Sequence, residues 1–146
     1  MKISAGIVIL YNSKVLLAHS TNSSWWKSYM PPKGTIEKDE DLREAASREV
    51  EEEVGIRISP SLLKEPSKIE YRSLSGDLYK VVYVFVHKID SLSQIGLVDE
   101  VVNINNLQKE EIDDAKFMTI SELEKKAHPR YIKTLERIIR ENYSEV

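Results

Sequence analysis

The stretch from Asp39 to Val54 constrains this chain more than any other, because it reads as a helix that breaks its own amphipathic pattern. Asp39 or Asp41 can cap its start, and Gly55 can end it in a left-handed conformation. On a wheel of about 100° per residue with Leu42 at zero, Ala45, Ala46, Val50 and Val54 lie within about 120° and form an apolar stripe. Glu49 and Glu53 lie within about 20° of Leu42, inside that stripe, and Glu52 lies on its edge. Buried unpaired carboxylates are costly. The run Glu49-Val50-Glu51-Glu52-Glu53 also places like charges three and four residues apart, which weakens a helix. A hard divalent cation shared by Glu49 and Glu53 removes both penalties. A solvated acidic face partnered by Arg43 and Arg48 is the alternative, and the helix alone leaves both open.

The remaining chain supplies strands around this helix. Ile3 to Leu10 and Lys14 to His19 read as a hairpin turning at Asn12-Ser13. That pattern is preferred over a short signal segment for the same residues. Thr21 to Lys33 is a loop holding Trp25 and Trp26. Lys68 to Leu74 and Leu78 to Ile89 are strands hinged at Ser75-Gly76-Asp77, the second being the most apolar stretch and placed centrally. Asp114 to Met118 is a short strand, Ser121 caps a short helix, and Pro129 opens a last helix that buries Ile132, Leu135, Ile138 and Ile139. Residues 90–106 carry mixed signals and receive no element. Strands interrupted by one helix and closed by another predict an α/β fold with a mixed sheet between helices, as one domain over residues 1–146.

Composition then removes whole classes of function. The 146 residues contain no cysteine, so thiolate metal sites and disulfides are excluded and any metal must be held by oxygen or imidazole. A net charge of −3 argues against a broad nucleic-acid surface, making nucleic acid an unlikely partner. No apolar run reaches the roughly 20 residues that span a bilayer, and the expected location is cytoplasmic.

Gly34, five residues, Glu40, seven residues, then Arg48-Glu49-Val50-Glu51-Glu52-Glu53-Val54-Gly55-Ile56 fills each fixed position of the Nudix box, and the chain resembles that family. The resemblance covers 23 of 146 residues, Gly34 to Ile56, and implies a Nudix-type α/β/α sandwich with a mixed β-sheet. It implies that Gly34 lends a carbonyl to a metal ion, that Glu49 and Glu53 are ligands, and that Glu52 is a ligand, a base, or both. Arg48 and Glu40 would hold helix and loop in register. Mg²⁺, with Mn²⁺ as a substitute, would assist the attack of water on a P–O–P link. Glu111, with Glu110 as its alternative, resembles the further carboxylate that many Nudix enzymes place before the last strand. Non-catalytic members typically lose box acids, and this chain keeps them all.

Pro31-Pro32-Lys33-Gly34 resembles the lead-in of diadenosine tetraphosphate hydrolases and of diphosphoinositol polyphosphate phosphohydrolases, with Lys33 able to meet an extra phosphate. The family often has Trp where Tyr29 stands, so Tyr29, Trp25 or Trp26 is the candidate base-stacking ring. Arg72, Lys80 and Tyr83 are candidate substrate residues on the strands after the box. The Lys80-to-Tyr83 spacing is one residue short of the family pattern, so the two side chains cannot both be carried over. Members cleaving ADP-ribose usually have a proline past the box, absent from Lys68-Ile69-Glu70-Tyr71-Arg72. His19, His87 and His128 match no catalytic position and read as structural or surface residues. The expected substrate is a small nucleotide, most specifically a dinucleoside polyphosphate. RNA 5′ ends, nucleoside triphosphates and nucleotide sugars are the alternatives.

Overall fold

Helix α1 (Leu42–Val54) lies on one face of a six-stranded mixed sheet in a computed structural model that describes residues 1–144. The strands are β1 (Lys2–Tyr11), β2 (Lys14–Ser20), β3 (Lys33–Thr35), β4 (Ser67–Arg72), β5 (Leu78–Ile89) and β6 (Ile112–Met118). Their order is β4-β5-β1-β2-β6, with β3 also pairing β1. β1 and β5 run parallel, and the other pairings are antiparallel. Helices α2 (Ile120–Lys126) and α3 (Pro129–Asn142) cover the opposite face. The architecture is thus the expected α/β/α sandwich.

Alternation along β1 divides the core in two. Ala5, Ile7 and Ile9 pack with Ala45, Ala46, Val50 and Val54 of α1. Val8 and Leu10 pack with Leu123, Tyr131, Leu135, Ile138 and Ile139 of α2 and α3. Asn12 and Ser13 both take positive φ, 50° and 63°, as a two-residue hairpin turn requires.

Several boundaries differ from the sequence expectation, each for a local reason. Asp39 is left-handed, at φ 62°, so Asp41 is the cap of α1 and accepts from the amides of Arg43 and Glu44. Gly55, at φ 71°, ends the helix as expected. Thr119, not Ser121, caps α2, because Thr119 and Glu122 form a reciprocal capping box. Tyr131 takes the fully buried place expected for Ile132, which is only partly covered. β5 is an interior strand as expected, paired with β4 on one side and β1 on the other, and β1 is the middle strand of the order. Residues 90–106 contain two short 3₁₀ turns, Leu92–Ile95 and Ile104–Asn106. Between them Val101 bridges Lys116 of β6. Short turns of this kind leave no periodicity to read.

Candidate active site

β3 and α1 bring the box residues together. The backbone N–H of Lys33 donates to Glu53 Oε1 at 3.0 Å. A Cβ added at Gly34 would stand 1.9 Å from Glu49 Oε2, so only glycine lets the strand approach this carboxylate. Arg48 ties the remaining acids in place: its guanidinium donates to Glu40 at 2.8 and 2.9 Å, to Glu49 at 2.9 Å, to Glu52 at 3.2 Å and to the Thr35 carbonyl at 3.3 Å. Glu40 in turn accepts from the Glu37 amide. Its carboxyl is held below the usual range, first by the Arg48 hydrogen bond. This is the helix-to-loop register that Arg48 and Glu40 were expected to hold.

The electrostatics of the stripe are those of repelling, half-dry acids. Burial pushes the Glu53 carboxyl up to about 7; Lys33 opposes this, while the charges of Glu49 and Glu111 add to it. Glu49 is also raised, chiefly by burial and against the pull of Arg48, with Glu52 and Glu111 contributing. Glu111 bears on both acids because its loop is fastened to the helix end: the Gln108 amide donates to the Glu53 carbonyl at 3.0 Å, and the Glu111 amide to the Gln108 carbonyl at 2.8 Å. Glu52 is exposed and, among the described residues, meets only Arg48.

The donor set fits a hard divalent cation. It offers oxygens only, with two partly buried carboxylates whose ionisation a cation would favour. Among the described residues no three acids or histidines form a ready-made cage. Mg²⁺ commonly takes one or two carboxylates and completes its shell with water and substrate phosphate.

Beside the acids stands a cationic cluster that sequence reasoning saw only in part. Lys33 is lowered by burial, with Glu53 opposing and Lys2 adding to the shift. Parallel pairing sets Lys2 opposite Lys80. Burial lowers the Lys80 ammonium to about 8, and the charges of Lys33, Lys2 and Arg130 add to the shift. Lys80 lies 4.8 Å and Arg130 4.1 Å from the centre of the Tyr71 ring. Tyr71 in turn hydrogen-bonds Tyr131 at 2.7 Å between hydroxyls. Lys2, Arg130 and Tyr71 carried no motif, and only the β1–β5 register and the start of α3 reveal them.

Three candidate substrate residues lie elsewhere. Arg72 turns to its own hairpin, donating to the Gly76 carbonyl at 2.9 Å and to Glu70 at 3.2 Å. Tyr83 takes the sheet face opposite Lys80 and receives Lys68 over its ring at 6.0 Å. Tyr29 is 4% exposed and donates its hydroxyl to Asp114, so it has no open ring face. His19 is fully buried, while His87 and His128 are partly covered; burial lowers the latter two below the usual imidazole range.

The NUDIX domain family matches residues 1–138. The chain belongs to the Nudix hydrolases. It is 30% identical over 122 residues to an uncharacterised Nudix hydrolase of Listeria monocytogenes, an alignment covering 80% of this chain and 63% of the relative. It is 28% identical over 121 residues to the mRNA-decapping enzyme subunit 2 of Saccharomyces cerevisiae, covering 83% of this chain and 11% of the relative. The chain thus spans about a ninth of the yeast protein and under two thirds of the Listeria one. Among solved structures, a Caenorhabditis elegans Ap4A hydrolase superposes with a TM-score of 0.72 at 22% identity, covering 99% of each chain. A MutT protein of Methanosarcina mazei superposes with a TM-score of 0.67 at 23% identity, covering 97% of this chain and 95% of that one. These likenesses establish the shared fold, and the match over residues 1–138 establishes the family. Nudix hydrolases generally use divalent metal ions.

Among the described residues no helix is long and apolar enough to cross a membrane.

Proposed function

We propose that this Nudix hydrolase splits a nucleoside polyphosphate with more than two phosphates, most specifically a dinucleoside polyphosphate such as diadenosine tetraphosphate. The observation carrying this reading is that Lys33, whose charge bears on Glu53, is also within range of Lys2 and Lys80, and Lys80 within range of Arg130, so a group of cations adjoins the acids. Each additional phosphate adds negative charge, and a row of cations beyond the metal site compensates it. A simple diphosphate has no use for the farther ones.

Glu49, Glu53 and the Gly34 carbonyl would hold Mg²⁺ or Mn²⁺, which when bound neutralises phosphate charge and acidifies a bound water. Glu52 or Glu111 would take the water's proton or complete the metal shell, and Arg48, hydrogen-bonded to Glu49 and Glu52, would position both. Water adds its oxygen to phosphorus, the bridging P–O bond breaks, and diadenosine tetraphosphate yields ATP and AMP. Action on RNA 5′ ends is the second reading, supported by the likeness to the yeast decapping subunit.

Lys33→Ala tests the reading. It should lower kcat/KM for diadenosine tetraphosphate more than for ADP-ribose. Equal losses on the two substrates would overturn it.

A further inference from the structure

The charges that bear on Lys80 of β5 are all positive: Lys33 of β3, Lys2 of β1 and Arg130 at the start of α3. Register gathers the three lysines. Lys2 is the partner of Lys80 in the parallel β1–β5 pairing, and Lys33 pairs with Gly6 on the other edge of β1. Alternation then puts all three on the sheet face that α2 and α3 cover. β4 supplies the remaining neighbour, since Tyr71 is the cross-strand partner of Lys80. The Tyr71 ring centre lies 4.8 Å from the Lys80 ammonium and 4.1 Å from the Arg130 guanidinium. The Tyr71 hydroxyl is 2.7 Å from that of Tyr131, which is fully buried, so two cations converge on a ring that α3 holds in place.

Other lysines of the chain are differently placed. Lys14 is bonded to Glu100 at 2.9 Å, Lys116 is 3.6 Å from Asp114, and Lys88 donates to the Asn142 carbonyl at 3.0 Å. Lys33 has Glu53 to hold its proton. Lys80 is half-buried, so its amine can still be reached. Burial first, and then the three cations, lower its ammonium to about 8. At pH 8 about half of the amine is therefore free, against under about 1% for an ordinary lysine. Lys80 thus joins a free nitrogen lone pair to a surround that attracts anions. The electrophile suited to both features carries a phosphate as its leaving group.

We propose that Lys80 is a modification site, acylated without a helper enzyme by small acyl phosphates that Lys2, Lys33 and Arg130 hold against it. The Lys80 Nζ lone pair attacks the acyl carbon and forms a C–N bond. The bond from that carbon to the bridging oxygen breaks, phosphate leaves with the electron pair, and the nitrogen gives up its proton to solvent. The product is a neutral amide, so the group loses one cation. The consequence for turnover rests on the polyphosphate reading above, and the modification itself does not: an acylated chain would compensate a long phosphate chain less well.

The test treats the metal-free chain with acetyl phosphate at pH 8 and follows each lysine by peptide mass spectrometry. A less basic amine is also a weaker nucleophile, so Lys80 should be acetylated about tenfold faster than Lys14, Lys88 or Lys116, not by the full ratio of free amine. Inorganic tripolyphosphate should slow the reaction at Lys80 and leave those three unchanged. Arg130→Ala should slow it at Lys80 several-fold. Acetic anhydride, which has no phosphoryl group, should show a smaller preference for Lys80 and no protection by tripolyphosphate. Equal rates at all four lysines, or a Lys80 rate indifferent to tripolyphosphate and to Arg130→Ala, would overturn the site. Chain acetylated at Lys80 should also show a several-fold lower kcat/KM for diadenosine tetraphosphate. Selective acetylation with that value unchanged would contradict the charge role given to Lys80 under the polyphosphate reading and leave the modification site standing.

Discussion

Lys33 donates its backbone N–H to Glu53 Oε1 at 3.0 Å, so the short strand β3 and the acids at the end of α1 are joined directly. The charge of the same residue opposes the rise of the Glu53 carboxyl and adds to the lowering of the Lys80 ammonium, so it bears on both the acids and the cations.

Replacing Glu53 with Gln removes a buried charge that faces Glu49 and Glu111 but keeps an oxygen able to accept from Lys33. We expect kcat to fall by about two or more orders of magnitude, the scale of a lost ligand or base. The thermal midpoint without metal should not fall, since mutual repulsion is relieved. Steady-state kinetics and calorimetry on the same sample check both halves.

Two glycines facing the same strand pair should behave differently. A Cβ at Gly34 would meet Glu49 Oε2 at 1.9 Å, the end of a side chain that can swing away. Gly34→Ala is therefore expected to fold with little loss of stability yet lose activity about as fully as Glu49→Gln. A Cβ at Gly6 would meet the Pro32 carbonyl at 2.3 Å and Lys33 Cβ at 2.6 Å, which requires the β1–β3 pairing to open. Gly6→Ala should lower stability by about 1–3 kcal/mol, as overpacking does. Chemical denaturation separates the two outcomes.

Lys80 gives the cleft a pH dependence of known sign. Its ammonium, lowered to about 8 by burial and by Lys33, Lys2 and Arg130, is present below that pH and lost above it. For a polyphosphate, kcat/KM, which reports the free enzyme, should fall between pH 7 and pH 9. Lys80→Met should start lower and lose that alkaline limb. A limb unchanged in Lys80→Met would assign it to another group.

Most of the sandwich was legible because β alternation and the helix stripe are periodic, and the acids of α1 betrayed themselves by interrupting that period. What escaped was set by long-range register. Lys2 meets Lys80 only through the parallel β1–β5 pairing, which no local pattern encodes. Arg130 reaches Tyr71 only because α3 starts over β4. Thr119 could have been found, since Thr119-Ile120-Ser121-Glu122 is a capping box in the sequence itself. Tyr29 and Trp25 were indistinguishable in one dimension; the partner hydroxyl bond to Asp114 and the stack on His19 separate them.

The central claim is metal-dependent hydrolysis of a nucleotide polyphosphate chain at this cradle. Its most direct measurement is product identification after incubating the purified protein with diadenosine tetraphosphate or with ADP-ribose, each with millimolar-range Mg²⁺ and with excess chelator. The account predicts ATP and AMP from the tetraphosphate, a higher kcat/KM than for ADP-ribose, and no turnover in chelator. Full turnover in chelator, or a clear preference for ADP-ribose, would contradict it.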